Sequence, residues 1–304
     1  MTTIKGVNLF RDEAGQVAQL HGIGVQRFGE RWFAYGEVKT EGNLFQGVAC
    51  YVTADFVHWR SVGIVLPVGE PGDFLGPTRI VERPKVLRCP STGKYVMFLH
   101  VDGENDYNYA HLGFAVADAP TGPFELRCVQ QWRGCISRDI GVFQDEDGTG
   151  YVLSEDRPNG THLYRLSDDY LTVAEDVVCL RGADGGFGYE SPILLKRNGM
   201  YYWFGSQLTG WACNDNMYAV ASDLRGPWSS WRPFAPEGSR TFESQCDVIV
   251  PLGGVDQWHA ERFLYIGDRW NPDDLGNSEL VTLPIEIGDG QARLTWHDEW
   301  EIEP

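Results

Sequence analysis

The sequence is notable first for what it has little of. No apolar run approaches the ~18 residues that cross a bilayer, so a membrane-spanning helix is not expected. Basic residues are scarce: 25 Lys and Arg stand against 43 Asp and Glu, and the net charge of −18 argues against nucleic acid or an anionic membrane surface as a partner. The start, MTTIKGVNLF, lacks a basic segment followed by an apolar core, which favours a cytoplasmic location.

Cysteine patterns are also missing. The seven cysteines form no C-x-x-C pair, so the sequence indicates neither a metal site nor a disulfide framework, and we expect reduced thiols. No amphipathic helix is evident, and residues 168–176 (DDYLTVAED) favour a turn and a strand. The DEDG of 145–148 lacks the spacing of a calcium loop and indicates a hairpin turn.

A short repeat is present instead. A turn containing Gly, followed by an alternating aromatic or β-branched strand, recurs in five copies: GERWFAYGE (29–37), GKYVMFLH (93–100), GTGYVLSE (148–155), GMYYWFGS (199–206) and ERFLYIGD (261–268). Units of this size cannot each bury a sheet face alone, but a ring of them can. We therefore predict an all-β, five-bladed β-propeller in a single domain over residues 1–304. A two-domain sandwich is the alternative, which the lack of a linker disfavours.

Polar residues stand before each repeat at similar distances. Asn198-Gly199 predicts a tight hairpin between two apolar strands, yet the first of them opens with a carboxylate, Glu190. Counted from the aromatic residue of each copy, the offsets are 11 to 13 residues in four units. The fifth unit has 18, with 253–258 as a loop insertion. The equivalent residues are His21, Glu82, Asp139, Glu190 and Gln245. In a propeller these side chains would meet at the mouth of the central channel.

Three carboxylates in one pocket point to a particular chemistry. Mutual repulsion and partial desolvation should raise the pKa of at least one of them. A protonated carboxylic acid beside an ionised one is what hydrolysis of a glycosidic bond requires. The alternative is structural: these groups would satisfy channel-facing backbone groups or pair with the neighbouring Arg83 and Arg138.

Six segments in the same order carry a family resemblance: AQLHGIG (18–24), WFAYGE (32–37), ERPKVLRCPSTGKYVMFLH (82–100), SRDIGVFQDEDGTGYV (137–152), YESPILLKRNGMYYWFGSQLTGW (189–211) and ESQCDVIV (243–250). The chain resembles glycoside hydrolase family 43, and within it the exo-β-1,3-galactanase group. The resemblance implies an inverting enzyme that releases galactose from β-1,3-linked galacto-oligosaccharides or galactan. No cofactor is implied, and the implied partner is a galactose-containing oligosaccharide.

The resemblance also implies residue roles. Glu190 matches the general acid, and Asp139 matches the carboxylate that orients it and keeps its pKa high. The family's usual first-strand aspartate is replaced by His21-Gly22, so the water is left to Gln245 or Glu82, with Gln245 favoured. Sugar-contacting positions match Glu37, Glu82, Arg83, Tyr107, Thr209 and Trp211. An indole such as Trp211 can stack on the apolar face of galactose.

Three questions stay open at this level. An α-L-arabinofuranosidase or β-xylosidase of the same fold is the first alternative, and a non-catalytic sugar-binding propeller is the second. His21 could bind a structural cation or water in the central channel, but a hydrogen-bonded structural histidine is favoured. The oligomeric state is not predicted.

Overall fold

A computed structural model describes residues 2–254 and 256–303, so one residue of the loop at 253–258, Val255, lies outside it. Nearly all regular structure in the described residues is β, arranged as five antiparallel blade sheets and one separate two-stranded sheet. The first strands are β1 (Thr2–Lys5) and β2 (Val7–Asn8). Blade 1 comprises β3 (His21–Phe28), β4 (Arg31–Glu37), β5 (Val48–Thr53) and β6 (Arg60–Leu66). Blade 2 comprises β7 (Arg79–Arg88), β8 (Tyr95–Glu104), β9 (His111–Ala117) and β10 (Glu125–Gln130).

The next two blades follow the same order. Blade 3 comprises β11 (Ile140–Gln144), β12 (Gly150–Asp156), β13 (Gly160–Leu166) and β14 (Val173–Leu180). Blade 4 comprises β15 (Glu190–Arg197), β16 (Met200–Ser206), β17 (Met217–Ala221) and β18 (Arg232–Pro233). The predicted five-bladed β-propeller is confirmed. That residues 1–304 form one domain stays a prediction.

Blade 5 is closed by the start of the chain. Its strands are β19 (Gln245–Leu252), β20 (Arg262–Arg269), β21 (Glu279–Gly288) and, on the outer edge, β2. Val7 pairs with Val281, and β22 (Gln291–Leu294) extends β21. β23 (Glu299–Ile302) pairs with β1. Short helical turns occur at α1 (Arg240–Glu243), which has left-handed φ values, and as 3-10 turns at Gln257–His259 and Leu275–Asn277.

The apolar runs are continuous because both faces of each inner sheet are buried. On β16, Tyr202 and Phe204 pack toward blade 5, whereas Tyr201 and Trp203 pack toward blade 3. The same division recurs around the ring, so five hydrophobic clusters each lie between two neighbouring blades. Each blade thus contributes to two cores, which holds the ring together.

The predicted turns are confirmed. Asn198 and Gly199 join β15 to β16 with φ values of 51° and 74°, the left-handed conformation that a tight hairpin needs. Residues 145–148 form a hairpin turn, and residues 168–176 form a turn that leads into β14. Among the described residues, helices are too short and too polar to traverse a bilayer.

Candidate active site

The five residues predicted to surround the channel mouth lie at or near the starts of the inner strands, and four of them line the mouth. His21, Glu190 and Gln245 are the first residues of β3, β15 and β19, while Glu82 lies within β7 and Asp139 directly precedes β11. All but His21 line one cavity of about 520 Å³. The complete lining is Glu37, Gly42, Asn43, Glu82, Arg83, His100, Tyr107, Arg138, Asp139, Arg157, Glu190, Gly210, Trp211, Gln245, Trp270, Pro272 and Leu275.

Backbone irregularities turn these side chains toward the cavity. The pairing of first and second strands shifts register just after His21, Glu82 and Glu190, and again after Cys246. Bulges of this kind redirect side chains beside active sites. The residue after each of the first three, Gly22, Arg83 and Ser191, has positive φ. Gly22 is required at its position, because a Cβ there would lie 2.0 Å from Glu37 Oε1.

A second set of polar residues lies on the second strands, opposite the first, and only part of it was predicted. His21 pairs with Glu37, Glu82 with His100, Glu190 with Ser206 and Gln245 with Asp268. The five repeat copies end on Glu37, His100, Glu155, Ser206 and Asp268. The last residue of each copy is therefore a sequence signal for this second set. It indicates His100, Glu155 and Asp268, which the pattern of polar strand starts does not.

Glu190 lies in a negative and largely dehydrated environment. Its side chain is 14% exposed, and Oε2 accepts a hydrogen bond from Gln245 Nε2 at 3.4 Å. Burial raises the pKa of Glu190 to about 7, and the neighbouring carboxylates of Asp139 and Glu155 act in the same direction. Arg157, which contacts Oε1, opposes this shift. A carboxyl group with this pKa is available as an acid near neutral pH.

Asp139 is fixed by neighbouring blades. Its Oδ2 lies 2.8 Å from Arg83 Nη2 and accepts the backbone N–H of Ser191 at 2.9 Å. Arg83 also donates to Asp247 and, at 2.8 Å, to Gln245 Oε1. The guanidinium thus connects blades 2, 3 and 5 beneath the cavity.

Gln245 has a defined orientation. Its Oε1 accepts from Arg83 Nη2 at 2.8 Å and from Trp270 Nε1 at 3.0 Å, so both lone pairs are in use. Its amide nitrogen then points to Glu190. An imidic tautomer of Gln245 would place a proton on Oε1, where it would oppose the two donors. The arrangement therefore favours a role for Gln245 in positioning water and disfavours a role as the base.

Glu82 is a weak base in this environment. Its Oε1 lies 3.3 Å from Lys39 Nζ and accepts the hydroxyl of Tyr107 at 3.1 Å, while Oε2 lies 3.4 Å from His100 Nδ1. Burial alone would raise the pKa of Glu82, but Lys39 and His100 hold it well below its usual range. A carboxylate so stabilised accepts a proton poorly and is better suited to binding hydroxyls.

Glu37 completes the floor of this side of the cavity. Its Oε2 lies 2.8 Å from Lys39 Nζ, and its Oε1 accepts the backbone N–H of Arg83 at 2.8 Å. Glu37 and Lys39 are both almost fully buried, so the pair is rigid. Lys39 was missed because a lysine two residues after a strand end has no distinctive sequence pattern.

Aromatic side chains form the walls. Trp211 is 41% exposed, and its ring centroid lies 5.2 Å from that of Trp270 in an edge-to-face arrangement. Tyr107, 37% exposed, stands opposite under the guanidinium of Arg138. The structure does not bring Thr209 into the lining, and its hydroxyl bonds to the carbonyl of Ala212 in its own loop. The sugar contact of Thr209 thus stays a prediction without support from this geometry.

His21 lies in the channel beneath the cavity. Its Nδ1 is 3.8 Å from Asp268 Oδ1, and neither ring nitrogen is hydrogen-bonded by any residue of 2–254 or 256–303. Burial lowers the pKa of His21 to about 4, so the ring is neutral. Two side-chain cations, Arg83 and Lys85, already face the carboxylates Asp247 and Asp268. A channel cation at His21 therefore stays a prediction.

A metal at the cavity itself is disfavoured. Single atoms of Glu82, His100 and Asp139 lie within 4.8 Å of one another. However, His100 Nε2 bonds Asp102 at 2.8 Å, and although burial would lower the pKa of His100, its bonds to Asp102 and Glu82 raise it to about 9. An imidazolium has no lone pair for a metal.

A propeller whose open end holds a carboxylic acid of pKa about 7, other carboxylates and exposed indoles is the arrangement of a glycoside hydrolase. The sequence profile of Glycosyl hydrolases family 43 matches residues 25–241. The chain belongs to glycoside hydrolase family 43.

Individual proteins are similar over different lengths. A crystal structure from Bifidobacterium bifidum S17, of a protein whose assignment as an exo-β-1,3-galactanase is provisional, is 61% identical with a TM-score of 0.95, and 97% of each chain is covered. The Phanerochaete chrysosporium exo-β-1,3-galactanase, crystallised with β-1,3-galactotriose, is 32% identical with a TM-score of 0.92, and the match covers all of this chain and 69% of that one. A β-D-galactofuranosidase of Aspergillus niger is 27% identical over 211 residues, 59% of this chain and 57% of the relative.

Proposed function

We propose that this protein is an inverting, exo-acting β-1,3-galactanase that releases galactose from the ends of β-1,3-linked galacto-oligosaccharides. The observation that carries the proposal is the position of Glu190, partly buried among carboxylates at a cavity with indole walls. The exo mode and the β-1,3 linkage rest on the similar structures, among them an exo-β-1,3-galactanase that binds β-1,3-galactotriose. Short galactan fragments, including those from arabinogalactan, are the proposed substrates.

In this mechanism Glu190 donates the proton to the departing glycosidic oxygen. Asp139, held by Arg83 and by the N–H of Ser191, keeps a negative charge near the acid and so keeps its pKa high. General acid assistance of this kind contributes about 10²–10⁴-fold to the rate.

Water attacks the opposite face of the sugar, positioned by the amide of Gln245. Entry of the sugar separates this amide from Glu190, with which it is hydrogen-bonded at 3.4 Å in this structure. A transition state with oxocarbenium character needs little nucleophilic assistance, so a well-placed water requires no strong base. Glu82, Glu37 and Tyr107 bind the sugar hydroxyls, and Trp211 stacks on the ring.

The test follows β-1,3-galactobiose reduced to β-1,3-galactosyl-galactitol by NMR at early times, because only the galactose released from the non-reducing end then gives anomeric signals. Inversion would produce α-galactose first, with the β anomer appearing only by mutarotation. A panel of nitrophenyl glycosides then distinguishes β-galactoside from α-L-arabinofuranoside, β-D-xyloside and β-D-galactofuranoside. Release of β-galactose as the first product would contradict the inverting mechanism, and selective arabinofuranoside cleavage would contradict the substrate.

The acid is tested by Glu190→Gln. Activity on galactobiose should fall by about 10²–10⁴-fold, with a smaller loss on a nitrophenyl galactoside whose leaving group needs no proton. Glu104→Gln, at an exposed strand end, is the matched control. Binding of galactose by calorimetry with no turnover in the wild-type chain would favour the non-catalytic alternative.

A further inference from the structure

Outside the substrate cavity, a thiol, a carboxylate and an imidazole converge on blade 3. Cys135 lies between β10 and β11, Asp156 ends β12, and His162 lies on β13. One potential ligand atom from each of them lies within 4.8 Å of the other two. None of the three lines the cavity described above. The three residues are separated along the chain and include one cysteine, so the absence of a C-x-x-C pair in the sequence gave no indication of this cluster.

The histidine is oriented as a ligand. His162 Nδ1 lies 2.9 Å from Asp176 Oδ2, a carboxylate that can only accept, so this nitrogen carries a proton and Nε2 is the ring nitrogen that can offer a lone pair. Nε2 lies 3.5 Å from Asp156 Oδ2 and makes no hydrogen bond with any described residue, although His162 is only 6% exposed. A buried acceptor without a donor is costly. Histidines that bind metals usually hold their other nitrogen against a carboxylate in this way.

We propose that Cys135, Asp156 and His162 bind one Zn²⁺ ion, with solvent in the fourth position. A thiolate, an imidazole and a carboxylate together suit Zn²⁺, which prefers four such ligands in a tetrahedron. Asp176 orients the imidazole. Asn159 donates to Asp156 Oδ2 at 2.8 Å and fixes the carboxylate.

The same side chains could be read as a Cys–His–Asp nucleophile. That reading uses Cys135, His162 and Asp176 but gives no role to Asp156, which faces the unpaired nitrogen directly. Three convergent donors fit a cation better than a thiol nucleophile. The two hypotheses make different predictions: only a zinc site predicts that Zn²⁺ protects the thiol of Cys135 from alkylation.

The position of the site gives the ion a structural role. Cys135 precedes Asp139 by four residues, and Asp156 directly precedes Arg157, which contacts Glu190. Zinc would therefore tie the loop that enters blade 3 to the β12–β13 hairpin, and would hold together two segments that supply the active site.

The experiment uses the full chain after treatment with a chelator. Titration with Co²⁺ should give one equivalent of binding with the thiolate-to-cobalt charge-transfer absorption of a tetrahedral site. Cys135→Ser should abolish this absorption, and His162→Gln should abolish or strongly weaken it. Cys128→Ser, another partly buried cysteine, is the matched control and should retain it. Zn²⁺ should also raise the Tm of the wild-type chain but not that of Cys135→Ser.

A second measurement avoids dependence on the folding of the variants. In the wild-type chain, one equivalent of Zn²⁺ should protect Cys135 from iodoacetamide, as read by peptide mass spectrometry, and leave the alkylation of Cys213, a similarly buried cysteine outside blade 3, unchanged. The proposal is overturned if the wild-type chain shows no saturable binding of Co²⁺ or Zn²⁺, if the charge-transfer band survives in Cys135→Ser, or if zinc leaves the alkylation of Cys135 unchanged.

Discussion

At the scale of single residues, the charges around Glu190 set the pH range of activity. The protonated acid is the active form, so kcat/KM should fall as the pH rises through about 7. Arg157→Gln removes a cation that lowers this pKa, so the alkaline limb should move to higher pH. Glu155→Gln removes a carboxylate that raises it, so the limb should move to lower pH. A pH–rate profile on β-1,3-galactobiose measures both.

Arg127→Gln controls for the loss of one arginine charge away from the site, because among the described residues its salt bridge is to the exposed Glu125 alone. Its profile should match the wild type. Movement of the Arg157 and Glu155 variants in the same direction would show that another group controls the alkaline limb.

The stacking role of Trp211 can also be tested with a single substitution. Because it is 41% exposed, Trp211→Ala should leave stability almost unchanged while raising KM by roughly 2–10-fold, the usual worth of an aromatic contact. Steady-state kinetics with galactobiose and galactotriose measure the change. Trp296→Ala, an indole exposed to a similar extent, is the control, and an equal KM effect there would remove the stacking role.

Much of the candidate site could be predicted from the sequence, but the residues that contact and tune the predicted side chains could not. The polar starts of the inner strands identified Glu190, Asp139 and Gln245 because the repeat fixes their place in the ring. Arg157 and Trp270 lie in connections whose path depends on tertiary packing, so no period reveals them. The low pKa of Glu82 depends on Lys39, just after β4 of blade 1, and on His100, within β8 of blade 2.

At the scale of elements, close contact between neighbouring inner strands limits side-chain size. A Cβ on Gly141 of β11 would lie 1.9 Å from the carbonyl of Pro192 on β15. Gly141→Ala should therefore force the strands apart and lower the free energy of unfolding by about 1–3 kcal/mol, as overpacking does. Urea denaturation measures it. Gly288→Ala, with no atom within 4 Å of the added carbon, should change stability by less than about 0.5 kcal/mol.

A loss below about 0.5 kcal/mol for Gly141→Ala would show that the inner strands separate easily. Strand positions themselves were predictable, because turn residues and aromatic runs recur in every blade. The bulges were not. Arg83 and Ser191 adopt left-handed φ values that neither residue prefers, so only the surrounding fold imposes them.

At the scale of the whole molecule, the pairing of β2 with β21 closes the ring. Removing residues 2–8 would leave the outer edge of blade 5 unpaired and would expose the apolar surface that Ile4 and Val7 cover. Such an edge promotes association between chains. We expect a lower Tm and larger species on size exclusion. Glu303→Gln, which removes only a surface ion pair with Arg262, should behave as the wild type.

An unchanged Tm after truncation would mean that four complete blades and a fifth without its outer strand are sufficient for full thermal stability. Closure by distant segments could not be predicted from the repeat, because β1 and β2 match none of the five copies. They pair only once the ring brings residues about 270 to 300 positions apart into contact.

The sharing of each hydrophobic cluster between two blades also constrains how this molecule can change by evolution. Loss of one whole repeat would expose the remaining half of two hydrophobic clusters at once. It would also alter the angle at which every remaining sheet meets its neighbour. Lengthening of a surface connection disturbs neither. New specificities within this lineage should therefore arise by variation of the rim loops, while the number of repeats stays fixed.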